Sequence, residues 1–221
     1  NKASEGTMIN DKPDAYWKTY FENGVLKSEG NRVYFELDSL WKFYNNKGET
    51  VLEVNYKNGF KNGIRKTYTE NEIIEENFEN DIKQGANNNY YKSGKIKKTL
   101  YFVKGKESGI SKEYTQEGLV IVITEYRNGI IISRENINRD DRNNNKQGVW
   151  KWFYENGTVK EEGFYVNGKK NGFFKEYTPE GVLKKITKYL NDEIQKDVPE
   201  LAKYDLRTDY YPDGSVKVIG S

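Results

Sequence analysis

Three pairs of adjacent carboxylates, Glu75-Glu76, Asp140-Asp141 and Glu161-Glu162, come nearest to an acid–base dyad. Adjacent residues on a strand point to opposite faces, so no such pair converges on one substrate atom. The acidic and amide-rich stretch around Asp140-Asp141 lacks the alternating ligands and closing bidentate Glu of a calcium loop. His and Cys are both 0, which removes imidazole bases, thiol nucleophiles, Ser-His-Asp triads and Cys/His zinc sites together. No catalytic residue, metal or cofactor is therefore expected, and the protein reads as a non-enzyme.

Two other sets of residues recur with regular spacing and suit binding. Lys18, Lys42, Lys66, Lys112, Lys151 and Lys175 form a candidate strip for phosphate or lipid headgroups. Nearby Glu29, Glu53, Glu161 and Glu162 offer the competing outcome, a paired and neutral face. Trp17, Trp41, Phe43, Trp150, Trp152 and Phe174 form a candidate surface for a protein partner or for stacking on sugar rings. The competing outcome for these is that they are the core of the fold. Net charge is only +2, so no global field recruits nucleic acid.

The elements that carry these residues follow from an internal repeat. Taking a turn glycine as position zero, the units centre on Gly24, Gly48, Gly94, Gly118, Gly157, Gly181 and Gly214, with Glu72 standing in the third. Four residues earlier every unit has an aromatic, from Tyr20 to Tyr210, and eight residues earlier an apolar residue, from Tyr16 to Leu206. A second turn follows each unit, as at Asn58-Gly59, Asn128-Gly129 and Asn167-Gly168. Asn-Gly supplies the two φ > 0 residues of a type I′ turn, so each unit of about 24 residues reads as a β-hairpin with no room for a crossover helix. The apolar content of 35% leaves a thin core, which Tyr 18, Phe 10 and Trp 4 must fill. Positions −8 and −4 are expected to form the buried ladders. Position −6, the lysine column, either snorkels from the same face or is turned aside by a bulge.

The pattern Gly-x-[Trp/Phe]-Lys-x-Tyr-x-x-x-Gly-x-[Val/Leu/Ile]-Lys resembles the bacterial variant of the MORN repeat, an antitoxin-like family. Its best copies are Gly148–Gly172 and Leu40–Gly63. The resemblance implies an all-β, elongated, twisted antiparallel meander of about eight hairpins. It further implies a scaffold or adaptor that binds a protein partner, at the cell envelope or exported, with toxin neutralisation or service in an outer-membrane machine as the specific tasks. Membrane-surface or glycan contact and self-association stay open as alternatives, and a cytoplasmic location is compatible. Against lipid binding stand the low net charge and the single glycine where the eukaryotic repeat carries Gly-x-Gly.

The expected organisation is a flexible lead-in at 1–13, five repeats over 14–129, a polar insertion or hinge at 130–147, and two repeats over 148–192. A second insertion at 193–205, with a short helical turn near Asp197–Lys203, and a partial terminal repeat at 206–221 complete it. Sixteen strands at a spacing of about 4.8 Å would span about 75 Å.

Overall fold

A computed structural model describes residues 2–196, 207–210 and 216–220. Among them there is no helix, and the strands pair antiparallel as open meanders in two compact units. The first unit, Asn1–Glu135, holds a 14-stranded sheet whose long strands pair in chain order from Ser4–Ile9 to Ile130–Asn136. The second, Asn136–Ser221, holds a six-stranded sheet from Arg139–Asp140 to Glu193–Ile194 and the hairpin Arg207–Tyr210 with Val216–Gly220.

Two kinds of turn alternate, as the repeat requires. The Asn-Gly steps have both residues left-handed, with φ 50° and 79° at Asn58 and Gly59, which is the type I′ geometry. The turns at position zero are wider. Phe21 N–H donates to Val25 O at 2.8 Å and Gly24 N–H to Phe21 O at 2.9 Å, with Gly24 at φ 85°. This pairing shifts the register by one between Thr19 and Tyr20, a bulge repeated before Tyr44, Tyr114, Phe153 and Tyr177. The third unit shows the cause by exception. With Glu72 in place of glycine, Thr69 closes directly on Glu72 and the strands pair with no shift.

Position −9 is also left-handed in all seven described units: Ala15, Ser39, Gly63, Gly85, Gly109, Gly148 and Gly172 have φ between 54° and 99°. Five of the seven are glycine because only glycine adopts that region without a steric penalty.

Three expectations are corrected. The lead-in at 1–13 is not loose: Ser4–Ile9 pairs with Lys12–Tyr20, Glu5 binds Lys2 and Tyr20, and Gly6 lies under the Trp17 ring. The polar insertion at 130–147 contains strands, Ile130–Asn136 and Arg139–Asp140, and a turn of the same design as the others. In that turn Asp141 accepts from Asn143 and Asn145 N–H at 2.8 and 2.9 Å, as Asn45 accepts from Lys47 and Glu49, and Asn144 takes the glycine's place at φ 60°. The third correction concerns which face is buried. The apolar −8 residues Tyr16, Leu40, Ile64, Ile110 and Phe173 are 38–52% exposed, whereas the −7 column holds the buried side chains. Residues 193–194 form a short strand, while the helical turn expected near 197–203 lies outside the described residues.

Candidate functional site

The six aromatics offered as a partner surface lie on the buried face. Trp41, Trp150 and Phe174 are 3%, 6% and 3% exposed, and Trp17, Phe43 and Trp152 are half-buried. The reason is a pairing of large with small across strands. Trp41 lies flat over Gly30, Phe174 over Gly163 and Trp17 over Gly6, so closely that a Cβ on any of the three glycines would overlap the ring. Where the −7 residue is not a ring, as at Arg65, the preceding strand is bulky instead, here at Val54. Bare backbone beneath a ring lets it bury itself on a single-layer sheet.

Cationic side chains cover several of the rings on this face. At position −11, Lys61, Lys83, Lys146 and Lys170 place Nζ 4.4–5.3 Å from the centroids of the rings they cover, and the Arg32 guanidinium lies 5.3 Å from Trp41. Their aliphatic stems exclude water from the rings, and their ammonium or guanidinium groups meet the ring faces. The indole N–H groups are also satisfied, Trp41 donating to Asn31 O at 2.7 Å and Trp150 to Arg139 O at 3.2 Å. In the second unit the rings continue edge to face from Trp150 through Tyr165 and Phe174 to Tyr189, with centroids 5.1–6.0 Å apart.

The candidate lysine strip lies on the opposite face and is neutralised there. In strand order the residues opposite one another are Glu5, Lys18, Glu29, Lys42, Glu53, Lys66 and Glu75, an alternating ladder. Lys42 is 3.7 Å from Glu53 and Lys66 is 3.1 Å from Glu75. The second unit repeats this with Glu162 between Lys151 at 3.5 Å and Lys175 at 3.6 Å. Lys112 stands opposite Thr99 and Ile123, and burial holds its ammonium below the ordinary lysine value.

The −4 tyrosines complete the network. Their hydroxyls donate to the glutamate of the neighbouring strand: Tyr44 to Glu29 at 2.6 Å, Tyr68 to Glu53 at 2.9 Å and Tyr177 to Glu162 at 2.8 Å. The Tyr44 bond, ahead of lesser help from Tyr16 and two lysines, lowers the Glu29 carboxyl. Conversely, burial and then the Glu162 bond push the Tyr177 phenol up to about 12. The adjacent carboxylates point apart as the strand rule requires, Glu75 to Lys66 and Glu76 to Arg65 and Lys83. They form no dyad.

The same face carries apolar side chains that no second layer covers. Tyr16, Leu40, Ile64, Tyr101 and Ile110 line one row in the first unit, each 38–52% exposed. Between them stand Asn31, Asn55 and Asn77, register partners of Tyr16, Leu40 and Ile64. Asn55 donates to Ile64 O at 2.7 Å, so the asparagines serve the backbone at the bulges. Sequence reasoning missed this row as a surface, and it missed the lysines over the rings. The signal available was the co-occurrence of glycine at +6 with an aromatic at −7 of the next unit, seen in Gly30 with Trp41 and Gly163 with Phe174.

A comparison with curated proteins finds no match. Residues 13–33 and 146–167, the hairpins that set Trp17 opposite Gly30 and Trp150 opposite Gly163, each match the family model described as MORN repeat variant, and at these two hairpins the chain is similar to a repeat class of generally non-catalytic protein- and membrane-binding modules.

Proposed function

We propose that this protein is a non-enzymatic scaffold that binds a protein partner through the face opposite its aromatic core. The observation that carries this is the exposed row Tyr16, Leu40, Ile64, Tyr101 and Ile110, set beside charges already paired with one another. The apolar side chains stand on every second strand from Tyr16 to Ile64 and on the adjacent strands of Tyr101 and Ile110. Such a line, bordered by paired polar residues, is the surface that a protein interface desolvates at low cost. The same neutrality disfavours lipid headgroups, because Lys18, Lys42 and Lys66 each already face a glutamate. The resemblance to bacterial MORN-variant proteins directs the search to the cell envelope, with toxin or effector neutralisation and service in an outer-membrane machine as the two specific tasks.

The test compares the whole chain with the triple variant Tyr16→Ser, Leu40→Ser, Ile64→Ser, each immobilised and exposed to solubilised envelope and to lysate. Retention of one dominant protein by the parent and its loss in the variant, with unchanged circular dichroism, is the expected result. Equal retention by both overturns the assignment of this row. Binding to anionic vesicles that disappears on Lys42→Ala would replace the scaffold with a lipid-binding role.

A further inference from the structure

The aromatic face of the second unit contains three rings arranged as walls around a cation. Trp150, Trp152 and Tyr165 have pairwise centroid separations of 5.9, 6.0 and 6.4 Å. They are inclined at 37°, 66° and 63°, so they enclose a corner rather than stack. The Lys146 ammonium occupies that corner, 4.4 Å from Trp150, 5.0 Å from Trp152 and 5.1 Å from Tyr165. All three distances lie inside the roughly 6 Å over which a ring face attracts a cation.

The other lysines of this column differ in how they are held. Lys170 covers Phe174 and Tyr189 but is also bound by Glu161 at 3.6 Å; Lys83 is bound by Glu76 at 2.7 Å and Lys61 by Asp81 at 3.5 Å. Among the described residues Lys146 Nζ has the rings and no carboxylate. A primary ammonium in such a corner gives up strong hydration for weak ring contacts, and its long stem is costly to hold in one rotamer. A trimethylammonium group fits the same walls better, being larger, less hydrated and able to touch all three faces at once. The one other unit with three aromatics at these positions, Trp41, Phe43 and Tyr56, has Leu37 where Lys146 stands and Arg32 over Trp41 instead, so a lysine set among three rings is particular to this copy.

We infer that Trp150, Trp152 and Tyr165 form an aromatic cage for a trimethylammonium group of the choline class, with Lys146 as a built-in occupant that a ligand displaces. The site lies in the second unit, whereas the apolar row lies in the first, and it does not depend on that row. Choline is titrated into the whole chain, with indole fluorescence and calorimetry as readouts, against sodium chloride at matched ionic strength. Lys146→Ala is expected to bind choline saturably and at least ten-fold more tightly than the parent, and Lys146→Ala with Trp152→Ala is expected to lose that binding. Trimethyllysine in a short peptide, titrated in parallel, separates a modified protein from a choline compound as the source by whichever binds more tightly. Absence of a saturable choline or trimethyllysine response in folded Lys146→Ala, or its persistence after removal of Trp152, overturns the cage. Should Lys146→Ala fail to fold, Lys146→Leu restores the packing seen at Leu37, and no response from either ligand in its chemical shifts at Trp152 overturns the proposal equally.

Discussion

Ala15 and Ser39 hold left-handed backbone, φ 54° and 58°, at a position that glycine fills in the other five described units. A Cβ there costs about 1 kcal/mol, so Ala15→Gly and Ser39→Gly should each raise the urea midpoint, against the usual expectation that glycine in a strand weakens it. Gly148→Ala and Gly172→Ala should lower it by a similar amount. The open space around both glycines makes that a purely conformational effect. Ser111 gives a second residue-scale test. Its hydroxyl is buried with no hydrogen-bond partner, so Ser111→Ala should stabilise by up to about 1 kcal/mol in the same titration.

Between neighbouring strands the unit of packing is a ring on a glycine. Gly163→Ala should overpack against Phe174 and cost about 1–3 kcal/mol. Adding Phe174→Val should recover part of that loss, since Val54 and Arg65 show a bulky residue tolerated when no ring crosses it. A double-mutant cycle in urea checks this, and strict additivity would contradict the account. This pairing also explains what was legible in the sequence. Asn58-Gly59 and Gly24 announced their turns, because φ > 0 restricts residue choice locally, and the hairpins followed. The buried face was not legible from alternation alone. Positions −8 and −7 are both apolar in several units, as in Tyr16-Trp17 and Phe173-Phe174, and only the bare backbone at Gly6, Gly30 and Gly163 decides between them. The neutral character of the lysine strip required the register, which sets Lys42 between Glu29 and Glu53.

In both units the central lysine and glutamate ladder is compensated by cross-strand neighbours, as in Lys66 with Glu75 and Lys151 with Glu162, so stability should respond to pH more than to salt. Glu29, Glu72 and Glu162 titrate below the ordinary 4.5. A depressed carboxyl contributes stability above its unfolded value, and that share is lost as pH falls through the depressed one. The melting temperature should therefore drop below about pH 4.5. Tyr44 and Tyr177 are raised above 10, so their contribution is complete below pH 10 and disappears as pH climbs toward 12. Melting curves from pH 2 to 12 should show both falls, and Tyr177→Phe should shrink the alkaline one. Contacts join strands one or two places apart in a sheet, as Glu72 with Lys97 and Glu113 with Arg134, so damage should also stay local. Trp17→Ala should speed amide exchange across Ser4–Val33 and leave Gly109–Arg127 protected.

Each full unit supplies one strand in each direction, and within each sheet the long strands pair in chain order. Gain or loss of one whole unit, as unequal recombination between similar gene segments produces, returns every remaining strand to its former direction and face. Loss of a single strand would instead reverse the parity of the strands that follow it in the same sheet and, in the first unit, set Trp41 on the charged side. Length variants of this chain should accordingly differ by whole units of about 24 residues, with half-units confined to places such as the turn at Asp141–Asn145, where the alternation of turn types is already broken.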